Sequence, residues 1–343
     1  MSHVYSLDNS INSFFEAQSA TRRECDEMAL KLVGGQIKPS PIQGAFSYTV
    51  IAGAAQSKIV QFRAQSSLLD MDALSLAHRI HPQTVVPVTF HNTIGDEESS
   101  PLTVYVMDRI SGVTIIEAGM INEDTEGDRL VAESGRINTI KDFARFFAEA
   151  WKSPQPLSVS QRTAIHLQQT QDLEHLINSL PSHFTDTFVQ LQQDLQLLFA
   201  DEFPAVLRHD DLCELNILVD PETGSITRII DWADASILPF GCDLYGVLNV
   251  MGWMDMDGWR WHNNHRELEK TFWNTFQEEI GGIDEGQRER IRIASVLGIF
   301  LRYGFTWDME MRKRPIVVGD GSFKYLNAFV GGSGEGMFGV RGL

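Results

Sequence analysis

His209-Asp210-Asp211-Leu212-Cys213-Glu214-Leu215-Asn216 is followed, after two apolar runs, by Ile230-Asp231-Trp232. The first eight residues have the form His-x-Asp-Leu-x-x-x-Asn. Moving a phosphoryl group requires a base beside the attacking hydroxyl and oxygen ligands for a divalent cation. The protein supplies positioning and charge rather than covalent chemistry. Asp211 fits the base, and Asn216 and Asp231 fit the ligands.

The residues between them explain how two ligands so far apart in sequence come together. Ile217-Leu218-Val219 leads into Asp220-Pro221-Glu222-Thr223-Gly224, and Ser225-Ile226-Thr227-Arg228-Ile229-Ile230 leads out. Two β-rich runs around a Pro- and Gly-bearing turn predict an antiparallel hairpin. Such a ribbon returns its last residue to the side of its first, so Asn216 and Asp231 are expected near each other. Mg²⁺ takes one or two protein oxygens and shares the rest of its sphere with phosphate, which suits this pair.

Composition sets the outer bounds. A chain of 343 residues exceeds what one hydrophobic core usually serves, so two lobes are expected. A hydrophobic share of 43% with 22% charged residues fits a folded globular protein. No apolar run of about eighteen residues occurs, which predicts no membrane span. Met1-Ser2-His3-Val4-Tyr5 lacks a basic and apolar leader, and Cys25, Cys213 and Cys242 are too scattered for a disulfide framework or zinc knuckle. A reducing, cytoplasmic setting is the expectation. Lys and Arg number 28 against 46 Asp and Glu, a net charge of −18. That field disfavours nucleic acid and anionic membrane as partners. It either favours a cationic or neutral small-molecule acceptor or serves solubility alone.

Along the chain, mixed three- and four-residue apolar spacing predicts a helix over about 10–33, ended by Gly34-Gly35. Strands are expected at Ile42–Ile51, Lys58–Arg63, Val85–Phe90 and Leu102–Met107, with a helix over Asp70–His81 and a loop over His91–Pro101. The turn after Met107, through Asp108-Arg109-Ile110, is where a hinge belongs. From Asn138 helices dominate: 140–151, 166–180, 184–199, 267–280 and 287–305. Gly331 to Gly336 is glycine-rich and predicts a disordered tail over 331–343. No internal repeat occurs. The expected organisation is α+β and two-lobed: a β-rich small lobe over 1–110 and a helical lobe over 111–330 carrying the catalytic loop and hairpin.

The set Gln43-Gly44-Ala45-Phe46-Ser47, Val60-Gln61-Phe62-Arg63, His209 through Asp220 and Ile230-Asp231-Trp232-Ala233-Asp234-Ala235 resembles the aminoglycoside phosphotransferase family, a branch of the protein-kinase-like fold that includes choline and homoserine kinases. With Leu238-Pro239-Phe240-Gly241 and Leu301 through Trp307 it looks like fungal members of that family. The likeness runs from about residue 40 to 330. It implies ATP- and Mg²⁺-dependent phosphorylation of a small-molecule hydroxyl, with Asp211 as base, Asn216 and Asp231 as metal ligands and His209 bracing the catalytic loop. Gly44 and Ser47 correspond to the loop over the nucleotide phosphates, and Met107 to Ile110 to the segment receiving adenine. Two positions depart from the pattern. Asp210 stands where the family has Gly, and would raise the pKa of Asp211 or add a ligand. Arg63 stands where a lysine normally meets phosphate; its fork remains cationic, and its acidic partner would be Asp72 or Asp70, with Asp72 preferred.

Other features carry less. Asp234 would help hold metal or cap a following helix, and Asp243 would tie down the catalytic-loop backbone. Trp253 through Trp261 interleaves tryptophans with carboxylates, which is either a half-buried surface or the wall of an acceptor site for an amine. Cys213, beside Asp211 and Glu214, is not a nucleophile. A protein kinase is disfavoured because Pro239-Phe240-Gly241 follows Asp231 too soon for a peptide-binding loop, and no Ala-Pro-Glu occurs. The alternative of another class is an inactive nucleotide-binding or scaffolding protein, suggested by Arg63 and Asp210.

Overall fold

The computed structural model describes residues 6–118, 126–200, 202–308 and 312–331. The chain divides into two compact units, Met1–Ser111 and Gly112–Leu343. The tail expected beyond Gly331 lies outside the described residues.

In the first unit, α1 (Leu7–Phe15) and α2 (Arg22–Val33) replace the single helix expected over 10–33. The break is chemical. Thr21 Oγ1 accepts from Glu24 N while the Glu24 carboxylate accepts from Thr21 N, a capping box that starts a new helix. Strands β1 (Lys38–Pro39), β2 (Ser47–Ala52) and β3 (Lys58–Ala64) precede α3 (Met71–Ile80), and β4 (Val88–Ile94) and β5 (Leu102–Asp108) follow it. They form one antiparallel sheet in the order β1-β2-β3-β5-β4. β4 extends into the segment expected as a loop because Asn92, Thr93 and Ile94 pair with Val104, Thr103 and Leu102. Alternation sends Tyr48, Val50, Val60, Phe62, Leu102 and Val104 into the core with Ile11 and Phe14 of α1. Each such side chain contributes about 1.5–3 kcal/mol of burial. The opposite face is left to Ser47, Gln61, Arg63 and Thr103.

The second unit opens with β6 (Val113–Thr114) and three helices, α4 (Glu126–Trp151), α5 (Val159–Ile177) and α6 (Thr185–Asp194). Four short strands follow: β7 (Ala205–Arg208), β8 (Ile217–Val219), β9 (Ile226–Ile229) and β10 (Ser236–Pro239). The remainder is α7 (Tyr245–Met251), β11 (Gly252–Met254), β12 (Trp259–Trp261), α8 (His265–Ile280), α9 (Glu285–Tyr303), β13 (Phe305–Trp307), β14 (Lys313–Pro315) and α10 (Gly321–Leu326). Among the described residues no helix is long and apolar enough to cross a membrane. β6, β8 and β9 form one small sheet, and β7 pairs with β10.

Packing places the loop that matters. Trp151 of α4 and Phe276 of α8 close on Phe240, with ring centroids 4.9 and 5.4 Å away. That aromatic cluster fixes the chain just before Cys242 and Asp243. From the other side α9 approaches so closely that a Cβ on Gly298 would lie 1.8 Å from the Cys242 carbonyl oxygen. The neighbouring atom is backbone, so it cannot swing aside. Gly298→Ala is expected to destabilise the protein by at least ~2 kcal/mol, as overpacking against a rigid neighbour does; urea unfolding monitored by tryptophan fluorescence measures it.

Candidate active site

The β8–β9 hairpin forms as its turn chemistry dictates. Asp220 Oδ1 accepts from the N–H of Glu222 and Thr223, and Gly224 takes φ 70°. Helix α4 then holds the tip: Thr139 Oγ1 donates to Gly224 O at 2.6 Å and Asn138 Nδ2 to Thr223 O at 2.8 Å. Ile217 lies opposite Ile229, and one step further Ile230 N donates to Asn216 O at 2.9 Å. Asn216 is thus bonded to the residue preceding Asp231.

Three residues of the octet knit together. Asn216 Nδ2 donates to Asp211 Oδ2 at 3.0 Å and to Asp211 O at 2.9 Å. Its nitrogen spent, Asn216 keeps Oδ1 as the amide oxygen for a cation. His209 is buried, with one ring edge-on to Trp232 at 4.7 Å. Its Nε2–H donates to Ile230 O at 2.8 Å and its Nδ1 accepts from Asp211 N at 3.1 Å. Burial holds its pKa below the ordinary value, although the Ile230 carbonyl and the surrounding aspartates oppose that. A neutral imidazole bonded to main chain at both nitrogens is a brace, not a proton carrier.

Asp243 acts on the same loop from behind. Its buried Oδ2 accepts from the N–H of both His209 and Asp210, as read from sequence. Asp210 and Asp231 both adopt left-handed backbone, φ 69° and 62°, which costs a non-glycine residue of order 1–3 kcal/mol. Position 210 therefore calls for Gly, and Asp is among the few substitutes tolerated there. The buried Arg208 meets the Asp210 carboxylate through Nη2 and also faces Asp243. Asp210 is thus turned to Arg208. Burial still pushes its pKa up, with Arg208 working against that.

The cations that sequence reasoning missed are Arg208 and Arg302. Arg302, in the last turn of α9, donates from Nη2 to Asp211 Oδ1. Nothing local marks it; it lies 91 residues from its partner. Leu212 N donates to Tyr245 Oη, and Asn249 Nδ2 donates to Leu212 O at 2.9 Å, two further supports from α7. Asp234 precedes a strand, so it caps no helix. Burial and then Asp210, Asp231 and Asp211 raise its pKa, a mark of crowded carboxylates. Burial and Asp211 push the Cys213 thiol up to about 11, away from nucleophilic character. Among the described residues no three His, Cys, Asp or Glu side chains form a metal cluster. A cation here would draw on an amide oxygen, a carboxylate and its own substrate.

The small-unit candidates divide. Gln43 is buried and pins the loop holding Gly44, its Nε2 donating to Ser40 O and Thr49 O and its Oε1 accepting from Thr49 N. Ser47 and Arg63 face each other across β2 and β3, linked through Gln61, which donates to Ser47 Oγ and accepts from Arg63 Nη1. The Arg63 fork also donates to Ser67 O and Ser67 Oγ, each at 2.7 Å. The expected Arg63–Asp72 pair does not form. Asp70 is the N-cap of α3, accepting from the N–H of Asp72 and Ala73, which leaves Asp72 exposed in the first turn. Met107 pairs with Ile59 and Val88 in the sheet, and Ile110 follows Arg109, whose N–H donates to Ser57 O. The unit boundary falls directly after Ile110 and Ser111. In the tryptophan segment, Asp255 and Asp257 both bind Arg260, and Trp259 packs on Phe329 and Trp261.

A profile of the phosphotransferase enzyme family that includes the aminoglycoside phosphotransferases matches residues 46–269, well over half of the chain. The chain belongs to that family. Among solved structures, wild-type aminoglycoside 2'-phosphotransferase-IIIa in its GDP complex is 13% identical, with TM-score 0.54 over 82% of this chain and 89% of that one. An amicoumacin kinase in complex with AMP-PNP, Ca²⁺ and Ami is 17% identical, with TM-score 0.54 over 83% of this chain and 85% of that one. These likenesses fix the fold as kinase-like. No curated protein sequence matches.

At position 210, relief of left-handed strain competes with the loss of a partner for buried Arg208. Breaking a buried ion pair costs about 3–5 kcal/mol, and the remaining Asp243 and the exposure of Asp210 reduce that here. Asp210→Gly, although glycine suits the left-handed backbone there, is expected to lose ~1–2 kcal/mol of stability; a rise in urea midpoint would show that strain dominates. Asp243→Ala, which strands two N–H groups as well, should cost ~3 kcal/mol or more by the same measurement.

Proposed function

We propose that this member of the family is an ATP- and Mg²⁺-dependent kinase of a small-molecule hydroxyl. The observation carrying this reading is the direct bond from Asn216 to the Asp211 carboxylate, at the end of a hairpin that returns to Asp231. Asp211 receives or orients the acceptor proton, keeping the incoming hydroxyl in reach of the phosphoryl group. Mg²⁺ fits the Asn216 amide oxygen and the Asp231 carboxylate and, when bound, neutralises phosphate charge amid carboxylates that otherwise repel one another. Ser47 and Arg63 serve the nucleotide phosphates, with Arg63 exchanging Ser67 for a phosphate oxygen. Gly44 gives the loop before Ser47 its close approach, and the main chain from Met107 to Ile110 receives adenine. Asp72 keeps only a long-range electrostatic part. The acceptor is a small alcohol, amine-bearing or neutral, either of which suits the net charge of −18.

The second reading, a nucleotide-binding protein without turnover, is favoured by one observation: the Arg63 fork is already held by Ser67 and Gln61. Incubation with labelled ATP, Mg²⁺ and a panel of amino alcohols and aminoglycosides separates the two. Transfer to an acceptor is expected, lowered about 10²-fold or more by Asp211→Ala, with ATP binding retained. Asp231→Asn should raise the Mg²⁺ concentration needed for half-maximal turnover. Nucleotide binding with no transfer, unchanged by Asp211→Ala, supports the second reading.

A further inference from the structure

Arg302 lies beyond residue 269, where the family match ends, yet its guanidinium sits on the carboxylate at the centre of the octet. The two oxygens of Asp211 are held by donors from different elements: Oδ1 by Arg302 Nη2, and Oδ2 by Asn216 Nδ2 at 3.0 Å. A carboxylate gripped at both oxygens has one orientation. Rotating it breaks hydrogen bonds to a charged group. A second tie runs beside the first. Tyr303 Oη donates to Asn249 Oδ1 at 3.2 Å, and Asn249 Nδ2 donates to Leu212 O at 2.9 Å. Tyr303 and Asn249 are buried, so the end of α9 is joined both to the side chain of Asp211 and to the main chain one residue on.

Stability alone does not account for this placement. Arg302 and Asp211 keep 33% and 29% of their side chains exposed, and ion pairs so near solvent give a coupling that is measurable but small as a source of stability. Meanwhile Arg302 Nε is buried without a hydrogen-bond partner, an arrangement that works against the folded state. Burial also disfavours the Arg302 charge, and Asp211 foremost restores it. A side chain that leaves one donor unsatisfied in order to reach one carboxylate is placed for that carboxylate.

We propose that Arg302 is a positioning residue for Asp211, fixing the carboxylate in the orientation from which it meets the acceptor hydroxyl. This rests on the reading of Asp211 as base. Arg302 needs no contact with substrate for the role; it acts through Asp211 and against Asn216.

Two measurements test it. The first is a thermal-stability cycle of wild type, Arg302→Gln, Asp211→Asn and the double variant. The Tm changes of the single variants are expected not to add, and additive changes overturn the proposal. The second is turnover of Mg·ATP with water as the acceptor. Arg302→Gln is expected to lower kcat about 10–100-fold while KM for ATP stays within about twofold, the pattern of a misaligned group and not of a lost binding contact. Arg302→Lys should recover part of kcat, and millimolar guanidinium chloride should recover part in Arg302→Ala. Wild-type kcat in a folded Arg302→Gln protein overturns the proposal, as does a rise in KM with kcat unchanged. Absence of turnover in the wild type itself would strike the phosphotransferase reading, and the stability cycle would still decide whether Arg302 holds Asp211.

Discussion

Two neighbouring backbone N–H groups, those of His209 and Asp210, converge on one buried carboxylate, Asp243. A left-handed turn at Asp210 is what lets both face the same oxygen, and the turn persists because hydrogen bonds to a charged group outweigh its strain. Everything in the candidate site follows from that turn. It sends the His209 ring back toward Ile230, brings Asp211 N onto His209 Nδ1, and points the rest of the octet at the hairpin. The helical core serves this constraint. Phe240 in its aromatic nest and Gly298 against the Cys242 carbonyl decide where Asp243 stands.

The electrostatics are those of crowded anions managed by two arginines. Asp234 lies within the field of Asp210, Asp231 and Asp211, and like charges so placed repel one another. Arg208 answers Asp210 from beneath, fully buried, and Arg302 answers Asp211 from the side. Asp231 is exposed at the hairpin exit. The arrangement leaves an excess of negative charge, which a divalent cation would oppose.

The octet and the hairpin were legible in the sequence because their determinants are local. Asp220 and Gly224 write the turn, the β-branched runs write the strands, and antiparallel return does the rest. The bond of Asn216 to Asp211 spans only five residues. Asp243 could be read because a carboxylate shortly after the second strand has few other tasks. The division of the first helix was also written locally, in Thr21-Arg22-Arg23-Glu24, but apolar periodicity across 16–21 masked it. Alternation in β3 placed Arg63 on the face away from the core. It did not say that Ser67 would take the guanidinium or that Asp70, not Asp72, would cap α3. Those are choices of rotamer and cap geometry, settled by atoms within a few ångströms. In the tryptophan segment, carboxylates that look available in sequence are bound by Arg260 in the hairpin.

The sequence by itself determined the chemistry of the octet and the return of the hairpin, since each depends on side chains a few positions apart. Only the tertiary structure decided which cations face the carboxylates. Arg208 is drawn between Asp210 and Asp243 by the pairing of β7 with β10, and Arg302 reaches Asp211 because Gly298 lets α9 lie directly on the backbone at Cys242. Arg302 and Asp211, charge partners brought together across 91 residues, leave no periodicity to read. They are fixed by the shape into which the core packs.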